Sequence, residues 1–207
     1  MPFPPASPMG KMDSGLMTLS KFPSEETTRY QLPGQYSWPT RIFHLKRCVL
    51  FTRIPSAVAG KDWCLFNIHL SAYGDGSMRR EQLTYLKALI SSLYDEGHYV
   101  VAGGDWNSLF PGVEKEHFGA YTTPEEHLGW IQRIPEDWTM EGWQWCYDPK
   151  VSTSRSLEKP YLRGENFETI IDGFYVSPNI EVRAVRGYDL MFEHSDHNPV
   201  SVTLRAK

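Results

Sequence analysis

Six polar residues stand where apolar runs end or are interrupted: His69, Asp105, Asn107, Asp172, Asp196 and His197. Their types suit one kind of chemistry. Carboxylates bind hard divalent cations and orient or deprotonate water. An amide holds a polar ligand, and an imidazole carries a proton near neutral pH. Each cluster taken alone also has a structural reading. His69 can be a half-buried histidine, Gly104-Asp105-Trp106-Asn107 a turn that bonds its own backbone, and Ser195-Asp196-His197 a cap before a strand. Asp172 is harder to dismiss, because a carboxylate flanked by Ile170, Ile171, Phe174 and Val176 is costly to bury without a partner.

The elements that must position these groups follow from residue patterning. Gly15–Ser20 reads as a short buried strand after an unstructured lead-in over residues 1–14, and residues 21–40 read as a polar loop. Arg41–Ile54 and Trp63–Leu70 are rich in β-branched and aromatic residues and read as strands, the second ending on His69. Leu83, Leu86, Ile90 and Leu93 recur at helical spacing between Ser77, a candidate N-cap, and Gly97, a candidate C-terminal glycine. The strand His98–Ala102 then runs into Gly103-Gly104-Asp105. A second helix is expected to start at Thr123-Pro124-Glu125-Glu126, with Thr as cap and Pro at the first helical position. Residues 144–165 read as irregular and polar, and Phe167–Val176, Ile180–Tyr188 and Pro199–Leu204 as strands. Strands with a few interspersed helices predict an α/β protein.

Composition bounds the rest. The chain has 207 residues, 41% hydrophobic, which is enough for one sizeable core. A net charge of −4 argues against tight non-specific binding of nucleic acid through phosphate neutralisation. Cys48, Cys64 and Cys146 lack metal-ligand spacing and read as buried small hydrophobes. No apolar run approaches the roughly 20 residues of a membrane helix, and no secretory h-region precedes Gly15. The compartment stays open.

Four motifs in order, Asn67-Ile68-His69-Leu70, Gly104-Asp105-Trp106-Asn107, Ile171-Asp172 and Ser195-Asp196-His197, resemble the pattern of the endonuclease/exonuclease/phosphatase superfamily. The resemblance covers about residues 10 to 205. It implies a two-sheet β-sandwich flanked by helices in four layers, over residues 15–207, with the N-terminal strands and their metal-binding Glu lacking. Glu25 and Glu26 follow the first strand and are not cast as that ligand. By resemblance, Asp196 binds Mg²⁺, with Mn²⁺ as the alternative, and Asp105 orients or deprotonates the attacking water. Asn107 holds water, the metal shell or phosphate; Asp172 keeps His197 protonated against the phosphate; His69 bonds another phosphate oxygen or assists the leaving group. The base stays open between Asp105 and the histidines.

The implied activity is Mg²⁺-dependent hydrolysis of a phosphomonoester or phosphodiester, as in a nuclease, a sphingomyelinase-like enzyme or an inositol-phosphate phosphatase. Its partner would be nucleic acid, phospholipid or inositol phosphate, with no stable protein partner implied. Arg155 and Arg163, in the irregular segment, are candidates for a second anionic group, and His194 for the rim of the site. Trp143, Trp145 and Tyr147 could stack on a base, but aromatics this dense read first as core. The alternative is a catalytically impaired fragment or a non-catalytic binding relative. A serine hydrolase built on Ser195 is set aside, because no Gly-x-Ser-x-Gly elbow surrounds it.

Overall fold

Alternating burial marks strands that cover one face, and its loss marks strands covered on both. The computed structural model of the protein describes residues 2–3, 12–34, 36–39, 44–72, 74–119 and 122–207. Its elements are β1 (Pro2–Phe3), β2 (Met12–Asp13), β3 (Glu26–Gln31), β4 (Cys48–Pro55), β5 (Asp62–His69), α1 (Ser77–Asp95), β6 (Tyr99–Asp105), β7 (Gln144–Cys146), β8 (Ser154–Arg155), β9 (Glu168–Thr169), β10 (Asp172–Val176), β11 (Ile180–Gly187) and β12 (Val200–Ala206). Six strands form the main sheet in the order β3-β4-β5-β6-β10-β7. Only β5 and β6 are parallel there, joined through α1.

Cys64, Phe66 and Ile68 alternate into one face of β5, and Val49 and Phe51 do the same in β4. That face packs against Leu83, Leu86 and Ile90 of α1, each buried side chain contributing about 1.5–3 kcal/mol. Tyr99, Val101 and Val176 on the other face pack against Val182, Val202 and Leu204 of the β11–β12 hairpin. Hence Tyr99–Ala102 of β6 is buried throughout. The α/β layering expected from the sequence is present: helix, six-stranded sheet, then hairpin. Among the described residues α1 is the only α-helix, so none lies over the outer side of the hairpin.

The two ends of α1 are closed in different ways. Gly97 (φ 95°) closes α1 as expected: Gly97 N donates to Tyr94 O and His98 N to Leu93 O, the paired bonds of a glycine-terminated helix. At the other end the cap is Gly76 rather than Ser77, whose N–H and hydroxyl both bond the Asp75 carboxylate.

Other expectations need correction. Gly15–Ser20 is not a buried strand. No described strand pairs with it, and its Met17 and Leu19 are 73% and 83% exposed; it is joined to β5 by a side-chain bond, the Asn67 amide donating to Met17 O at 3.0 Å. The polar stretch that follows contains β3, an edge strand whose only apolar residue is Tyr30; polar edges resist stray pairing but hide the strand signal. Near residue 123 the chain forms only a short 3-10 turn, Glu125–Leu128, with Pro124 rather than Thr123 before it. Of the expected lead-in, Pro2–Phe3 pairs with Met12–Asp13. Residues 1 and 4–11, and residues 41–43 of the expected strand, lie outside the described residues. Trp143 is buried and Trp145 and Tyr147 are packed against the core rather than presented for stacking.

Candidate active site

The sheet register assembles the site. His69 ends β5 and is the register partner of Asp105, the last residue of β6. Asp105 in turn pairs with Asp172, the first residue of β10. Cross-strand partners point to the same face, so the three side chains form one row across three strands. The last strand brings the fourth member: His197 precedes β12 and bridges to Ser154 of β8, while Arg155 N bonds Asp196 O at 3.2 Å and Asn198 N bonds Thr153 O at 2.9 Å.

Within the row, His69 Nε2 lies 3.2 Å from Asp105 Oδ2, and His197 Nδ1 lies 2.7 Å from Asp172 Oδ2. Asp105 ends its strand in a tight turn. Asn107 N donates to Asp105 Oδ1 at 2.8 Å, and Asn107 Nδ2 donates to Asp105 Oδ2 at 3.0 Å and to Leu70 O at 2.9 Å. Asn107 adopts φ 47°, a left-handed conformation that asparagine tolerates. Both its amide hydrogens are therefore committed, and in this arrangement it positions Asp105. The turn reading and the site reading describe the same atoms.

The electrostatics divide the two histidines. Burial, then the charges of Arg47 and His197, lower the His69 pKa to about 4, so His69 is neutral at physiological pH. Burial alone would also lower His197, but the Asp172 hydrogen bond and the charges of Asp172, Asp105 and Asp196 outweigh it and raise the pKa to about 9. Asp105 is pushed up to about 7, first by burial and then by the Asp172 charge. A neutral imidazole, a carboxyl poised near neutrality and an imidazolium thus sit side by side.

His69, Asp105 and His197 of this row line a cleft of about 500 Å³, whose wall includes Arg47, Asp196, Arg155, Trp130 and Phe167. Arg155 donates from Nη1 to Ser156 O at 2.9 Å and lies over the Tyr161 ring, while its buried Nε has no hydrogen-bond partner. Arg163 departs from expectation: it is outside the cleft lining, drawn into an ion pair with Asp189. His194 is also outside the lining, exposed beside Glu193. Two contributors carried no motif. Thr153 Oγ1 accepts from both Ile171 N and Asp172 N at 3.0 Å, fixing the start of β10. Arg47 is the other. An isolated Thr or Arg in a loop has no sequence signature, since its role comes from what the fold sets beside it.

A hard cation has a limited donor set. Among the described residues no three His, Cys, Asp or Glu side chains are grouped to hold a metal ion. Asp105 and Asp172 are engaged by His69, Asn107 and His197, whereas the Asp196 carboxylate, which lines the cleft, accepts a 3.4 Å bond from the Ser195 hydroxyl as its one hydrogen bond among the described residues. Mg²⁺ is commonly held by one or two carboxylates, with water and substrate phosphate completing its shell. The residues fit an ion held in that way, through Asp196.

Gly104 lets the row form. At φ 137°, a Cβ there would overlap the Ile68 carbonyl oxygen of β5. Gly104→Ala is expected to cost about 3 kcal/mol or more, through backbone strain and separation of β5 from β6. Urea unfolding checks this; a wild-type midpoint would show that the strands have room.

No protein-family model and no curated protein matches the sequence. Solved structures do match. An endonuclease/exonuclease/phosphatase from Beutenbergia cavernae superposes with a TM-score of 0.56 at 19% identity, over 90% of this chain and 46% of that one. TDP2 from Caenorhabditis elegans gives 0.56 at 17%, over 91% and 52%. ANGEL2, a 2',3'-cyclic phosphatase, gives 0.56 at 16%, over 90% and 68%. The fold is that of the endonuclease/exonuclease/phosphatase proteins. This chain spans about half the length of the first two.

Proposed function

We propose that the protein hydrolyses a phosphoester by attack of water at the cleft lined by His69, Asp105 and His197, with Asp172 behind His197. The observation that carries this reading is the row itself, in which a base-competent carboxyl and a fixed imidazolium face the same space. Asp105, with a pKa of about 7, accepts the proton of the attacking water, in contact with neutral His69. A catalytic pKa near the working pH favours both the basic form and proton uptake. His197 remains protonated and meets the charge that builds on the phosphate oxygens. Asn107 and Asp172 hold these two groups in place. Arg155, on the cleft wall, binds a further anionic part of the substrate.

Asp196 would hold Mg²⁺ or Mn²⁺, which when bound neutralises phosphate charge as a Lewis acid. Structures of the same fold support the class of reaction: one is a 2',3'-cyclic phosphatase and another a mannosyl-6-phosphatase. The substrate of this chain, whether nucleotide, lipid or sugar phosphate, is left to a panel. Among the described residues, the lack of a three-donor metal group favours a second reading, a binding protein of impaired activity.

The test is turnover of bis(p-nitrophenyl) phosphate and of nucleic-acid, phospholipid and sugar-phosphate substrates, with Mg²⁺ and with EDTA. Turnover is expected with Mg²⁺ and is expected to fall at least about 100-fold in EDTA. A well-folded protein that cleaves nothing at saturating Mg²⁺ would favour the binding reading.

A further inference from the structure

Part of the cleft lining is apolar and belongs to neither core. Leu128 and Phe167 are each 2% exposed, yet they line the cleft and stand outside both hydrophobic clusters, as do Trp130 and Leu157. The backbone of Trp130 is fixed beside the ends of β5 and β6. Buried Arg79 donates from Nη1 to Ser71 O at 2.9 Å and Ala72 O at 3.0 Å, and from Nη2 to Trp130 O at 2.8 Å. That clamp ties Trp130 to the residues two and three beyond His69. Next to it, Gln132 O accepts from Leu109 N at 2.9 Å, two residues beyond Asn107, and Gln132 Nε2 donates to Asp75 O at 2.7 Å. The half-buried Trp130 side chain has no such tie: it makes no hydrogen bond and no ring contact among the described residues. Trp106, Trp138 and Trp145, by contrast, pack ring against ring in the core.

We propose that Trp130 packs against a flat ring carried by the substrate, so that the cleft takes a phosphoester bearing an aryl group or a nucleobase. This rests on the phosphoester reading above, with the phosphate at His69, Asp105 and His197. An indole face holds a flat partner in offset stacking and gives up little side-chain freedom in doing so. Leu128, Leu157 and Phe167 add apolar surface for which a phosphate alone has no use. The volume of about 500 Å³ is that of a small-ligand site, roughly 300–1,000 Å³, and leaves room beyond the phosphate. The unbonded indole N–H is a donor for the polar edge of a ring. A role limited to the fold would use the Trp130 carbonyl, which Arg79 holds whatever the side chain.

The experiment uses the full chain with Mg²⁺ and phosphonates, whose P–C bond the proposed hydrolysis leaves intact. Calorimetry should find phenylphosphonate bound by wild type at least about 10-fold more tightly than methylphosphonate, the effect of stacking one ring. Trp130→Ala should lose that difference. Trp130→Leu, which restores apolar bulk without a flat face, should lose most of it. With bis(p-nitrophenyl) phosphate, Trp130→Ala should raise KM more than it lowers kcat, because the ring is held before and during reaction alike. The phosphonate analogue of AMP bound more tightly than phenylphosphonate would name a nucleobase as the ring, and the opposite order an aryl group. An equal gain of phenyl- over methylphosphonate in wild type and Trp130→Ala would overturn the assignment and leave the hydrolytic reading standing. A ring preference that depends on Trp130 in a chain with no turnover would do the reverse. Should neither variant fold, wild type alone decides. Hexylphosphonate bound as tightly as phenylphosphonate, or all three phosphonates bound alike, would overturn the proposal, since an alkyl chain has no flat face.

Discussion

His197→Ala is expected to lower turnover of bis(p-nitrophenyl) phosphate by roughly 10²–10⁴-fold, the range that one positioned proton-bearing group contributes. The side chain is 30% exposed and is tied to Asp172 at 2.7 Å, so alanine leaves the strand in place and removes the imidazolium. Asp172→Asn isolates the charge. Burial already lowers the His197 pKa, and only the Asp172 bond with the Asp172, Asp105 and Asp196 charges lifts it to about 9. Without the Asp172 charge the imidazole should titrate lower. Activity that needs the imidazolium falls as pH rises through that pKa, so the alkaline limb of the variant should move toward neutrality.

Stability should follow the same sign. A folded pKa above the ordinary value of about 6.5 stabilises the fold fully below pH ~6.5 and loses that contribution as pH rises through 9. Rate profiles and urea melts between about pH 6 and 10 check both statements. Profiles of wild type and Asp172→Asn that superimpose would remove His197 from the reaction.

Trp106→Ala is expected to destabilise the protein by about 3–5 kcal/mol, the cost of emptying a large buried aromatic site. Trp106 is fully buried and stands edge-on to Phe110, Trp138, Trp145 and Tyr175. Its indole N–H donates to Gly173 O at 3.1 Å, and its backbone N–H to Ile171 O at 2.9 Å. Packing is the larger effect, because a net hydrogen bond contributes only about 0.5–1.5 kcal/mol. Trp106→Phe should therefore recover more than half of the loss. Asp105 and Asn107 flank this residue, so the folded alanine variant should also lose activity beyond its unfolded fraction. Urea unfolding with an activity assay on the folded species measures the two effects. A loss under about 1 kcal/mol would show that the neighbouring rings close the gap.

Local physics explains what the sequence made legible. The helix at residues 77–95 was readable because Leu83, Leu86 and Ile90 face one way every three or four residues and Gly97 supplies the left-handed stop. The strand carrying Asp105 is legible because an apolar run leads into that carboxylate, and the one carrying Asp172 because apolar residues flank a lone carboxylate on both sides. Residues 144–165 were read as irregular, although they contain β7 and β8. Such strands of two or three residues have no period to detect, and they form only because β10 and β9 offer them partners. Gly15–Ser20 failed for the opposite reason: an apolar run was present, but no described strand lay beside it to complete a ladder.

The sequence by itself determined the α/β class, the helix and the central strands, and the candidate residues His69, Asp105, Asp172 and His197, because residue type and period act over a few positions. Only the tertiary structure decided which of them meet. The register of β5, β6 and β10 set His69, Asp105 and Asp172 in one row, and β8 latched His197 beside them. It also gave Arg47 to the cleft and drew Arg163 away to Asp189. Those outcomes depend on contacts between residues far apart in the chain, and no local pattern encodes the position of a partner that the fold has yet to bring near.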